Sequence, residues 1–158
     1  MLIPLWLTVG IIAGVWMPIS GFLGVAPWPP FIAWAAYFFA GADMNAMKKV
    51  YPTFLLGVLC GYVTILLSAL QLVSVLGAVG LPLLVGIFAA ILVFLGKFNI
   101  FSLAPAGFLA FATYFGTGLD LKATLIGLII GPIFGIISVK ATTVFKGKDN
   151  SSTQGVSQ

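Results

Sequence analysis

The chain has no histidine, no glutamate and no arginine, and it has one cysteine. Without those acids and bases, metal sites, Ser-His-Asp triads and paired-carboxylate centres lose their usual participants. No metal, no cofactor and no enzymatic activity is therefore expected. Cys60 has no partner for a disulfide within the chain, and its place in an apolar run marks it as a small packing residue. Charge of either sign is scarce. Only 6% of the 158 residues are charged, 61% are hydrophobic and the mean hydropathy is +1.22. Soluble domains carry about 25% charged residues, so this chain has too little polar surface to face water and must face lipid. Transmembrane strands alternate apolar and polar residues, whereas these runs are apolar on every face and rich in Gly and Ala. The expected class is an all-α, polytopic membrane protein.

The net charge of +4 does not point to nucleic acid, because the lysines sit between apolar runs and bear on topology instead. No basic n-region precedes the first run, which is long enough to span and is expected to be retained as a helix. Six apolar segments follow one another: about Leu2–Gly24, Phe31–Ala42, Thr53–Leu70, Val75–Leu95, Leu103–Gly118 and Leu121–Val139. The Pro-rich turn Ala26–Pro30 separates the first two, Gln71 and Ser74 form a polar joint, and Gly96–Asn99 makes a turn. A single membrane domain over 1–145 is expected, with a disordered cytoplasmic tail from Lys146 to Gln158.

The stretch Phe31–Thr53 occurs twice. Shifted by seventy-seven residues it matches at Phe31/Phe108, Ala33/Ala110, Ala35/Ala112, Tyr37/Tyr114, Phe38/Phe115, Gly41/Gly118, Asp43/Asp120 and Ala46/Ala123. The Asp match is the informative one, since the chain has three acidic residues in all. Leu7–Val15 likewise matches Leu83–Ile91, and the Gly57/Gly61 pair corresponds to Gly131/Gly135. Two repeats of three segments, about 2–70 and 75–145, are implied. An odd number of spans inverts the second, which gives a 3+3 inverted-topology repeat. With six spans and the N-terminus inside, six of the seven lysines are cytoplasmic and only Lys122 lies outside, as the positive-inside rule asks. Were segments two and five re-entrant, Lys48, Lys49, Lys97 and Lys122 would share a face and the asymmetry would vanish. Six spans with N-in/C-in orientation is the reading.

Segment two, Phe31–Ala42, is short: twelve residues make about 18 Å of helix, against a hydrocarbon core of roughly 30 Å. Short, Gly-interrupted segments at matching positions of two halves point to a substrate path. The expected pathway residues are Tyr37, Phe38, Gly41 and Asp43 in the first half and Thr113, Tyr114, Phe115, Thr117, Gly118 and Asp120 in the second. The carboxylates would attract cations or accept hydrogen bonds near each mouth, and the aromatics would form a dry constriction. The competing roles are structural. Asp43 and Asp120 also suit helix N-caps, the aromatics suit interfacial anchors, and Thr113 and Thr117 suit back-bonding to helical carbonyls. The paired glycines are expected to serve close helix packing.

At AYFFAGAD and ATYFGTGLD, with GIIAG near the start and GPIFG near the end, the chain resembles the YcdZ-like family, domain of unknown function 1097. The likeness covers about Leu5–Val139 and implies bacterial inner-membrane residence and a compact multi-span fold. It brings no substrate and no assigned functional residues. The residues themselves suggest a channel or facilitator for a small polar solute, with a path between segments two and five, acting as a homo-oligomer such as a trimer. A secondary transporter using the same site and a non-transporting accessory subunit are the alternatives.

Overall fold

The computed structural model describes residues 3–70 and 75–153, with side chains as far as 142. Within them are six α-helices and no strand: α1 (Leu5–Phe22), α2 (Pro29–Phe39), α3 (Met44–Ser68), α4 (Gly80–Leu95), α5 (Ala104–Gly116) and α6 (Leu121–Thr153). The 3-10 turns Gly77–Val79 and Asn99–Phe101 precede α4 and α5. The polar joint at Gln71–Ser74 and the last five residues of the tail lie outside the described residues, and the backbone is helical as far as Thr153.

Four helices are long and apolar enough to cross a membrane: α1, α3, α4 with the turn before it, and α6 as far as Thr142. The other two are not. At 11 and 13 residues, α2 and α5 measure about 17 and 20 Å, well short of a hydrocarbon core. Prolines set their starts, Pro29 and Pro30 in α2 and Pro105 in α5, where a missing N–H costs nothing.

Their ends are set by one turn used twice. Gly41 and Ala42 take φ values of 109° and 57°, and Gly118 and Leu119 take 70° and 67°. In each, the second left-handed residue donates back to the tyrosine carbonyl, Ala42 N–H to Tyr37 O and Leu119 N–H to Tyr114 O, both at 3.1 Å. This is the Schellman closure, which a left-handed residue makes possible. An aspartate then starts the next helix. Asp43 Oδ1 accepts the Ala46 N–H at 2.6 Å and Asp120 Oδ1 accepts the Ala123 N–H at 2.9 Å. Because Asp43 caps so effectively, α3 begins at Met44 rather than near Thr53, and Pro52 lies inside it.

The short helices exchange partners between halves. α2 packs along α6, with Pro29 on Gly127, Pro30 and Ala33 on Gly131, and Tyr37 on Gly135. α5 packs along α3, with Gly107 and Ala110 on Gly57 and Tyr114 on Gly61. Both pairs run parallel. A Cβ on Gly57 would overlap Gly107 O, one on Gly131 would overlap Pro30 O, and one on Gly61 would lie 3.0 Å from Tyr114 Cδ1. Glycine is what permits this approach. Gly10, Gly14 and Gly86, which the sequence placed in the same packing role, have nothing within 4 Å of a Cβ position. α1 lies on α6 and α4 on α3, both at the periphery. At the centre, α3 meets α6 through Val50, Phe54 and Leu128, and Ala33, Ala36, Ala106 and Ala110 of the short helices close over them.

The buried hydroxyls of Thr53, Thr64, Thr113 and Ser138 donate to carbonyls of their own helices at 2.7–2.8 Å, which uses the one donor hydrogen of each. Trp34 is the exception. Its ring is 3% exposed, stacks with Phe31 and Phe38 at 6.3 and 6.2 Å, and meets Phe134 edge-on at 5.6 Å, while Nε1 has no hydrogen-bond partner. An orphaned buried donor costs about 1–3 kcal/mol. Trp34→Phe removes it and restores the residue found in the other copy, Phe111. Thermal unfolding in detergent should therefore place Trp34→Phe within about 1 kcal/mol of the parent, whereas Trp34→Ala should lose about 3 kcal/mol or more.

Candidate functional site

Tyr37 and Tyr114 do not face one another. They are 2% and 3% exposed, each laid on the glycine of the opposite half's long helix, and Tyr114 also meets Tyr62 edge-on at 6.4 Å. Phe38 packs on Trp34, and Phe115 on Phe111 at 5.0 Å. Thr113 is occupied by Leu109 O at 2.7 Å. Gly41 and Gly118 form the left-handed turns. Asp43 and Asp120 are exposed and hold the helix caps.

The two aspartates stand at opposite ends of the molecule. α2 runs beside α6 in the same direction, so Asp120 lies before the seam and Asp43 beyond it. From Leu121 to Val139, α6 rises about 27 Å, close to the thickness of a hydrocarbon core. The expected residues thus divide into a buried aromatic seam and two polar ends.

One end is a depression of about 340 Å³ lined by Thr117, Asp120 and Lys122 and by the chain at Leu23–Ala26. Thr117 Oγ1 lies 2.7 Å from Thr124 Oγ1 and donates to Tyr114 O at 3.0 Å, which fixes the wall beside the carboxylate. At the other end, Asn45, Lys48, Lys49, Asn99 and Ile100 line a depression of about 560 Å³. Each end joins an Asp-capped helix start from one half to the turn after the first helix of the other half. Asn45 and Asn99 were not singled out as site residues from sequence. Asn45 was detectable as the i−3 and i−4 neighbour of Lys48 and Lys49 on one helix face, but Asn99 reaches that face only through the fold.

Between α2 and α5 runs a groove of about 540 Å³ lined by Ala35, Ala36, Phe39, Pro105, Ala106, Phe108, Leu109 and Ala112. It is apolar, and none of the expected pathway residues lines it. No group of three or more metal-ligating side chains occurs among the described residues.

Helices of crossing length with apolar exteriors, charged groups confined to two ends, and no strand among the described residues define a multi-pass helical membrane protein. Over residues 6–143 the chain matches the family described as "Protein of unknown function (DUF1097)", and it belongs to that family. It is similar to Inner membrane protein YcdZ of Escherichia coli K12, 33% identical over 137 residues that cover 85% of this chain and 81% of that one. Uncharacterized protein YahC of the same organism is 29% identical over 139 residues, covering 83% and 84%. No solved structure matches the chain. The protein resides in the bacterial inner membrane, which its helices cross more than once.

Proposed function

We propose that the protein is a facilitator for a small polar solute, uncharged or weakly cationic, built as a 3+3 inverted repeat. The observation that carries this reading is the reciprocal seam. Gly57 and Gly61 receive Gly107, Ala110 and Tyr114, while Gly131 and Gly135 receive Pro30, Ala33 and Tyr37, which are the matching positions of the other copy. An axis in the membrane plane that exchanges the halves exchanges these contacts too, and transporter folds with such axes work by moving one half against the other. On this reading α2 and α5 cross with the help of their flanking turns. Lys48 and Lys49 share a depression with Asn99, whereas Lys122 lines the opposite one, which supports an N-in/C-in orientation.

The alanine-lined centre leaves the two polar ends unconnected, so passage requires relative movement of the halves rather than a standing pore. That favours the second reading, a secondary transporter using the same site, to the extent that both need such movement. The lack of His and Glu argues for uncoupled flux over a proton relay. A homo-oligomer, a trimer in the simplest case, is part of the proposal, since a chain of 158 residues offers little interior of its own. Proteoliposomes should swell in at least one member of a panel of small polar solutes, such as glycerol and urea, faster than empty vesicles. Accumulation against a gradient would favour the coupled transporter. Absence of flux for every solute, with a stable co-purifying partner, would leave an accessory subunit.

A further inference from the structure

The two polar ends differ in charge. One has both Asp120 and Lys122 in its lining and is balanced. The other is basic. Asn45, Lys48 and Lys49 share a face of the first turns of α3 and, with Asn99 and Ile100 of the facing 3-10 turn, line its depression. Lys97 stands at the head of that turn with its ammonium 4.9 Å from the centre of the Phe94 ring. Asp43, the acidic group beside them, is held by the Ala46 N–H, and no carboxylate among the described residues pairs with Lys48 or Lys49. The carboxamides of Asn45 and Asn99 add uncharged donors, and the positive end of the α3 dipole lies alongside.

The rim is apolar. Met44, Phe98 and Ile100 are 61%, 54% and 54% exposed at the same end. A free phosphate would gain from the lysines and nothing from these side chains, whereas a phospholipid would use both, its phosphate on the ammonium groups and its acyl chains on the apolar rim. Basic pockets at the cytoplasmic boundary of helical membrane proteins suit anionic headgroups on these physical grounds. We propose that the depression bounded by Asn45, Lys48, Lys49 and Asn99 binds the phosphodiester of an anionic phospholipid. The inference does not depend on the protein carrying a solute.

Native mass spectrometry of the full chain, released from detergent containing phosphatidylglycerol or phosphatidylcholine, tests it. The parent should retain phosphatidylglycerol in preference to phosphatidylcholine. Lys48→Gln with Lys49→Gln should reduce that retention about tenfold or more, as expected for two lysines at an anionic surface. Both lysines are exposed, so the variant is expected to fold, and monodisperse elution checks this. Asn99→Leu probes the site from the other element and should weaken retention several-fold with every charge intact. Lys122→Gln, at the opposite end, should leave it unchanged, and millimolar inorganic phosphate should not displace the lipid. Equal retention of the two lipids, an equal loss with Lys122→Gln, or no loss in either the lysine variant or Asn99→Leu would overturn the proposal. Displacement by inorganic phosphate would overturn the lipid assignment and make this a free-phosphate site.

Discussion

Gly131→Ala should lower stability by about 3 kcal/mol, at the upper end of the usual cost of overfilling a packed interface. The added methyl would overlap Pro30 O and lie 2.5 Å from Ala33 Cβ and 2.7 Å from Trp34 N. Two of those three are backbone atoms that no rotamer change can move aside. α2 would have to lift off α6, taking Tyr37 off Gly135 with it. Gly57→Ala should behave alike, because its methyl would overlap Gly107 O and crowd Ala110 Cβ at 2.9 Å. The control is internal to the protein. Gly10→Ala and Gly14→Ala meet nothing within 4 Å and should be neutral or stabilising by up to about 1 kcal/mol, through better helix propensity. Thermal unfolding in detergent, followed by tryptophan fluorescence, reads all four. Similar losses at Gly10 and Gly131 would mean that the seam is not where the glycines matter.

If the protein carries a solute as proposed, Asp43→Asn with Asp120→Asn should change its flux about tenfold while leaving the fold alone. Asn caps a helix as well as Asp does, so the Ala46 and Ala123 N–H groups keep an acceptor and stability should move by less than about 0.5 kcal/mol. What disappears is the negative charge at each end, and charge at the entrance of a path changes the local concentration of a solute by tenfold or more. Asp43→Ala with Asp120→Ala removes charge and cap together and should cost about 1 kcal/mol per site. If the asparagine pair transports like the parent and only the alanine pair falters, both aspartates serve as caps alone. The two variants together separate the roles that sequence left tied.

Much of the architecture was legible because its signals are local. Pro29, Pro30 and Pro105 start the short helices, Gly41 and Gly118 stop them, and an Asp follows each stop; all of this sits within a few residues of chain. The twofold use of the left-handed turn and its Asp cap was legible because the same local signals recur in the same order. The early start of α3 was missed, since Pro52 suggested a boundary that the Asp43 cap overrides. The orientation of Tyr37 and Tyr114 was not legible at all. An aromatic on an apolar helix has no polar face to announce its direction, and its burial depends on a glycine in the other half. The same blindness affects the glycines. A GxxxG spacing reads identically on α1, where it meets open space, and on α3 and α6, where it holds a neighbouring helix. Nor could spacing bring Asn99 to Lys48 and Lys49, because that meeting is made by the fold.

The exchange of short helices between halves has a consequence for biosynthesis. α2 leaves the ribosome well before α6, which carries the surface it needs from Gly127 to Gly135. Until then α2 must wait in the bilayer or at the insertion machinery, too short to span unaided and with Tyr37 uncovered. The second half meets no such delay, since α3 is already in place when α5 emerges. Maturation is thus lopsided in time although the finished contacts are matched in space. A nascent chain arrested before Gly127 would present quality-control proteases with an unclosed first half.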